Sequence, residues 1–203
     1  MIDSNISRWK GFRMCKKLKE IAGLTPDDIL NKYWNAKRNV CPIDISTILF
    51  KMGIRVQSYD FTKLDKNSNN RILGAMIAND NDLALLYSQG ETKNRNRFTL
   101  AHELAHCCKA HLDDQKMPYI EYRHDGVVTD QHEIEANIFA GELLIPTTEL
   151  RKVLSIEYPN SFPCVTRLSE IFAVSVNVVK GRLNYLKIPY IDEYNHKILA
   201  WSN

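Results

Sequence analysis

The segment "RFTLAHELAHCCKAH", residues 97–111, constrains the fold more than any other part of the chain. His102 and His106 are four residues apart, so on an α-helix both imidazoles leave the same face one turn apart and can reach a single ion at about 2.0–2.1 Å. Phe98, Ala101, Ala105, Cys108 and Leu112 recur three and four apart, the spacing of a helix with one buried stripe. The expectation is a helix docked on a core, with the two histidines at the edge of its buried face. Glu103 stands beside them, where a carboxylate can take a proton from activated water.

The HExxH pattern also arises by chance on surface helices, so the third ligand decides its meaning. His111 follows His106 by five residues, whereas the metzincin pattern needs six and an intervening glycine. Lys109 and Leu112 occupy those two positions here. His111 is therefore read as an exposed residue near a helix C-terminus, where positive charge is favoured. Cys107 and Cys108 point elsewhere on the helix, and both are read as buried and inert rather than as oxidation sensors.

The remaining candidate is "DQHEIEANIFAGELLIP", residues 130–146. At roughly 100° per residue, Glu133, Ala136, Asn137, Ala140 and Leu144 share one narrow face with Gly141 at its edge, while Glu135 lies opposite with Glu142. Small residues around Glu133 let such a helix approach another closely. Glu133 is thus the expected third ligand and Glu135 a surface carboxylate. Asn137, one turn beyond Glu133, is placed to hydrogen-bond an imidazole and fix its tautomer. Two histidines and a carboxylate suit zinc and also accommodate manganese. Three protein ligands leave one position open, the arrangement of a catalytic site.

The rest of the chain supplies a frame for this pair of helices. Its 203 residues suit one domain, or one domain with a small appendage. With 44% hydrophobic and 25% charged residues it has the balance of a folded globular protein, and a net charge of +3 does not by itself call for a nucleic-acid partner. The start has no apolar signal region and no run approaches the roughly 18 apolar residues of a membrane span, so a cytoplasmic location without membrane contact is expected. Five cysteines, an odd number without CxxC pairs, point to reduced thiols.

Residues 7–22 read as a basic amphipathic helix with Trp9, Phe12, Cys15, Leu18 and Ile21 inward and a solvated basic face. Thr25, Pro26, Asp27 and Asp28 form a helix start, and that helix is expected to run to about Arg38. "PIDISTILFKMGIRVQSYDF" predicts a short helix stopped at Gly53 and a strand with Ile54 and Val56 alternating. "RILGAMIAND" and "LALLYSQ" are two further strands around the polar turn "NDND", which makes a small, mostly antiparallel sheet just upstream of the HExxH helix. A loop is expected from about 113 to 130.

Residues 166–188 hold two helical patterns around "AVS", in the manner of a helix-turn-helix. Ser175 should cap the second helix, with Val178, Val179, Leu183 and Leu186 inward. Its polar supply is mainly Asn177, Lys180, Arg182 and Asn184, thin for a DNA-reading helix, so a helical pair completing the core is preferred to direct DNA binding.

"RFTLAHELAH" followed after a loop by "EIEANIFAGELLIP" resembles the ImmA/IrrE family of metallopeptidases, whose pattern sets phenylalanine and threonine before HExxH and then ExxANxFAxxLLxP. "PIDISTILFKMGIRV" is similar to the family's lead-in helix and strand, and the resemblance covers about residues 40–187. It implies an α+β, zincin-like fold of a small sheet with an active-site helix and a glutamate-bearing helix. The chain is divided into an N-terminal helical segment, 1–38, which the family pattern matches poorly, the peptidase domain, 39–150, and a helical C-terminal region, 151–203, expected to pack on it. The resemblance also implies His102, His106 and Glu133 as ligands of Zn2+ or Mn2+ and Glu103 as the base. The family's members cleave or inactivate helix-turn-helix repressors, commonly encoded beside them, and so release mobile-element or stress genes. The expected mechanism has Glu103 take the proton of water and pass it to the leaving amine, on a peptide bound extended along the sheet edge. Tyr119, Tyr122, His124 and His132 are candidate oxyanion donors. The alternative is a non-catalytic regulator or antitoxin-like protein with a vestigial metal site.

Overall fold

The computed structural model describes residues 16–34, 41–63, 72–78, 82–109, 119–122, 130–192 and 197–199. The fold is α+β, with a four-stranded mixed sheet lying on a long central helix and further helices around it. Its sheet strands are β1 (Arg55–Tyr59), β2 (Ile72–Ala78), β3 (Leu83–Ser88) and β4 (Tyr119–Tyr122), in the order β1-β3-β2-β4. β2 runs antiparallel to both β3 and β4, while β1 pairs parallel with β3.

Three short helices precede the sheet. α1 (Lys16–Ile21) buries Leu18 and Ile21, the described half of the expected basic helix, whereas Trp9, Phe12 and Cys15 lie outside the described residues. α2 (Pro26–Tyr33) starts with a reciprocal capping box between Thr25 and Asp28. It ends at Tyr33 rather than near Arg38, because Trp34 turns to extended backbone and becomes the cap. α3 (Ile45–Lys51) is capped by Asp44, whose carboxylate accepts from Ser46 and Thr47. Gly53, at φ +71°, supplies the left-handed residue that turns the chain from α3 into β1.

A β-bulge sets the sheet's two faces. Ile72 and Ala75 are three residues apart, so regular alternation would put them on opposite faces, yet both belong to the small apolar layer they form with Phe61 and Leu86. The register of β2 against β4 shifts between Ile72 and Gly74, and this slip reverses the alternation. Beyond the bulge, regular alternation puts Gly74 and Met76 on one face with their β3 partners Tyr87 and Leu85, the face that packs on the main core.

The central helix α4 (Lys93–Lys109) carries the HExxH residues, and every residue from Phe98 to Cys108 is buried. It is therefore enclosed on all sides rather than docked by a single stripe, and the histidines lie within the core rather than at its edge. Its last turn is tied by the Gly23 N–H, which donates to the Cys108 carbonyl at 2.7 Å. Near its other end the Arg97 guanidinium donates to the carbonyls of Phe172 and Ala173, at 3.3 and 3.0 Å. α5 (Gln131–Leu144) is the helix packed most extensively against α4.

The C-terminal helices are α6 (Thr147–Glu157), α7 (Val165–Phe172) and α8 (Val176–Tyr185), followed by a two-stranded ribbon of β5 (Tyr190–Asp192) and β6 (Lys197–Leu199). Ser175 caps α8 through the Val178 N–H. Val165, Leu168, Phe172, Val179 and Leu183 join the same apolar cluster as α1, α3 and α4, so the C-terminal helices share the main core. The boundary expected between residues 150 and 151 falls inside α6.

Two residues offered to DNA by the sequence pattern are turned to other uses. Arg182 is 4% exposed and donates to the Ile145 carbonyl, Glu142 and Thr147, which joins α8 to the junction of α5 and α6. Lys180 pairs with buried Asp192 at 2.7 Å. Arg182→Ala should destabilise the fold by roughly 2–3 kcal/mol, since it strands buried acceptors at a helix end. Urea unfolding would measure this as a lowered midpoint at an unchanged slope, and an unchanged midpoint would contradict it.

Candidate metal centre

Helical spacing puts His102 and His106 on one face of α4, with ring centroids 4.7 Å apart. Opposite them, α5 begins at Asp130, whose carboxylate accepts from the backbone N–H groups of His132 and Glu133 at 2.7 and 3.4 Å. This cap fixes the first turn of α5 and with it Glu133, near the positive end of the helix. The small buried residues Ala136 and Ala140 line the same helix. Gly141, expected to help the close approach, has no atom within 4 Å of the place a Cβ would take, so the alanines suffice.

Three potential ligand atoms converge between the helices. His102 Nε2 and His106 Nε2 are 3.0 Å apart, and the two Glu133 oxygens lie 3.2 Å from one or the other of them. A tetrahedral ion with ligands at about 2.0–2.1 Å would hold neighbouring ligand atoms roughly 3.3–3.4 Å apart. The histidine pair and each printed histidine–carboxylate distance come within a few tenths of an ångström of that spacing, and one ligand atom from each residue lies within 4.8 Å of the others, so these three residues could hold a metal ion. Burial opposes ionisation of Glu133, but hydrogen bonds and charge from His102 and His106 outweigh it and hold the carboxyl well below the usual carboxylate range.

Asn137 lies one turn after Glu133, with its Oδ1 3.1 Å from His102 Nδ1. With Nδ1–H donating to that oxygen, Nε2 keeps its lone pair and faces His106 and Glu133. Asn137→Ala should therefore weaken metal affinity by about 10–100-fold. A competition titration with a chelator of known affinity measures this, and unchanged affinity would contradict it.

The other sequence candidates are placed elsewhere. Glu135 accepts from Gln131 Nε2 at 2.8 Å, away from the triad. Cys107 Sγ lies 3.0 Å from Met76 Sδ, and burial pushes the Cys108 thiol up. None of Cys41, Cys107, Cys108 and Cys164 forms a disulfide. His132 is half-buried beside Glu133. His111 and His124, and the side chains of Tyr119 and Tyr122, lie outside the described residues.

Glu103 is fully buried and points to the sheet side of α4, where its Oε1 would lie 2.8 Å from a Cβ built on Gly74. Nothing in the hydrophobic periodicity singles out Gly74. The available signal was the glycine itself, since glycine inside a strand marks a bulge or a close approach.

Histidines one turn apart on a buried helix, with a glutamate between them and a carboxylate arriving from a second helix, define a class of protein built around an HExxH metal site. The chain belongs to the peptidase family described as IrrE N-terminal-like domain, which its sequence matches over residues 51–184. Membership suggests a metallopeptidase, in keeping with the donor set. No curated protein matches the sequence. Among solved structures, a Mycobacterium tuberculosis transcriptional regulator is similar with a TM-score of 0.47 and 17% identity. The match covers 97% of this chain and 54% of the regulator, so the chain spans about half of that protein's length. Among the described residues no helix is long and apolar enough to cross a membrane.

Proposed function

We propose that the chain is a zinc-dependent endopeptidase of zincin-like design that hydrolyses a peptide bond in a helix-turn-helix repressor. The observation that carries this reading is the triangle of His102, His106 and Glu133, with Glu103 next to His102 on the same helix. A divalent ion held there would supply Lewis acidity, polarising the scissile carbonyl and making water more acidic. The work of the chain is then divided among named side chains. His102 and His106 offer imidazole lone pairs, Glu133 adds the balancing charge, and Asn137 keeps His102 in the correct tautomer. Glu103 takes the proton of the attacking water and returns it to the leaving amine.

The repressor as substrate rests on the resemblance of the two motifs to the ImmA/IrrE family, whose members act on such proteins. The alternative, a DNA-binding regulator with a vestigial site, is less well served by α8. Lys180 and Arg182 are engaged within the fold there, which leaves Asn177 and Asn184 exposed as its main polar groups. The test is incubation with the helix-turn-helix protein encoded by the neighbouring gene, with and without a chelator. A defined cut that stops on chelation and returns with zinc supports the proposal. No cut by the zinc-loaded chain, together with salt-dependent DNA binding that ignores the metal, would replace it with the regulator.

A further inference from the structure

Gly74 is the crowded one of Gly23, Gly53, Gly74, Gly141 and Gly181. A Cβ built there would lie 2.5 Å from Thr99 Cγ2, 2.8 Å from Glu103 Oε1 and 3.3 Å from Glu103 Cδ. At Gly23, Gly141 and Gly181 the same atom would meet nothing within 4 Å, and at Gly53 only the Lys17 side chain at 3.5 Å. Gly74 does not have a positive φ, so the backbone does not require glycine at this position. What requires it is the approach of α4.

Thr99 and Glu103 are four residues apart and so share one helical face, and both are buried, at 4% and 0% exposure. Gly74 lies two residues before Met76 in the regular part of β2, so strand alternation turns it to the core face that α4 covers. The helix, the strand and the missing side chain together form a seat for the Glu103 carboxylate.

We propose that Gly74 is a positioning residue: the gap left by its absent side chain, closed on one side by Thr99, sets where the Glu103 carboxylate sits. This rests on the reading of Glu103 as the base. The two neighbours of Gly74 would respond differently to an added methyl group. Glu103 Oε1 ends a flexible side chain and can swing aside with little loss of packing. Thr99 is β-branched on a helix, and its Cγ2 yields only by a rotamer change or a shift of the helix. Gly74→Ala should thus harm stability mainly through Thr99 and catalysis mainly through Glu103.

The two effects separate in a pair of variants. Gly74→Ala should lower both the melting temperature and kcat, with kcat down about 100-fold as expected for a catalytic group misplaced by about 1 Å. Its KM and its metal stoichiometry should stay at wild-type values, because ligands and substrate contacts are untouched. Adding Thr99→Ser removes the methyl at 2.5 Å. The double variant should recover the melting temperature of Thr99→Ser alone while its kcat stays about 100-fold below that of Thr99→Ser. Recovery of stability and kcat together would overturn the proposal, as would wild-type kcat in Gly74→Ala. Crystal structures of the wild type and the double variant read the carboxylate position directly. If the wild type cuts no repressor, the peptidase reading fails by itself, and the structures still decide the seat: a displaced Glu103 upholds it and an unmoved Glu103 overturns it.

Discussion

Glu103→Gln should leave the metal in place and remove cleavage. Glutamine matches glutamate in size, so the pocket between α4 and Gly74 stays filled, but its amide cannot take a proton from water at neutral pH. General-base assistance is worth about 10²–10⁴-fold, and kcat should fall by at least the lower figure with KM little changed. A variant that still cuts at the normal rate would remove Glu103 from the mechanism.

Glu133→Ala should act on the metal itself. Two imidazoles remain, without the carboxylate that supplies charge and the third corner of the triangle. Metal binding to the folded wild type adds stability by mass action, about 2.7 kcal/mol at a free concentration one hundred times Kd. That gain should be absent from Glu133→Ala, so the metal-induced rise in melting temperature seen in the wild type disappears and cleavage goes with it. Glu135→Ala is the matched control. It lies on the same helix but pairs with Gln131, and it should keep both metal and activity. If the roles of the two glutamates were reversed in this comparison, the assignment of the third ligand would fall.

The parts of the site visible in the chain are those governed by helical periodicity. His102 and His106 at i and i+4 need only α4 to be a helix, and Glu133 with Asn137 needs only α5 to be one. Small residues beside Glu133 indicated which face of α5 meets α4. Periodicity understates the burial of α4, because Thr99, His102, Glu103 and His106 count as polar although they lie in the core. Chemistry puts polar groups inside, and a hydrophobic stripe cannot register them. Arg182 misled for a similar reason: an arginine on an amphipathic helix reads as surface until its partners, Ile145, Glu142 and Thr147, are brought in from distant positions. The bulge in β2 depends on its pairing with β4, across a long stretch of chain, so nothing local showed that Ile72 shares a face with Ala75. Boundaries failed where one residue decided them, as when Trp34 left the helical region and ended α2 at Tyr33.

The central claim is that His102, His106 and Glu133 hold one ion and that Glu103 works beside it without binding it. Metal analysis of the purified wild type, Glu103→Gln and Glu133→Ala, prepared identically and dialysed against trace zinc, tests both halves at once. About one ion per chain is expected in the first two, as for a single three-ligand site, and little in the third. Wild type without metal, or Glu133→Ala with as much metal as wild type, would contradict it.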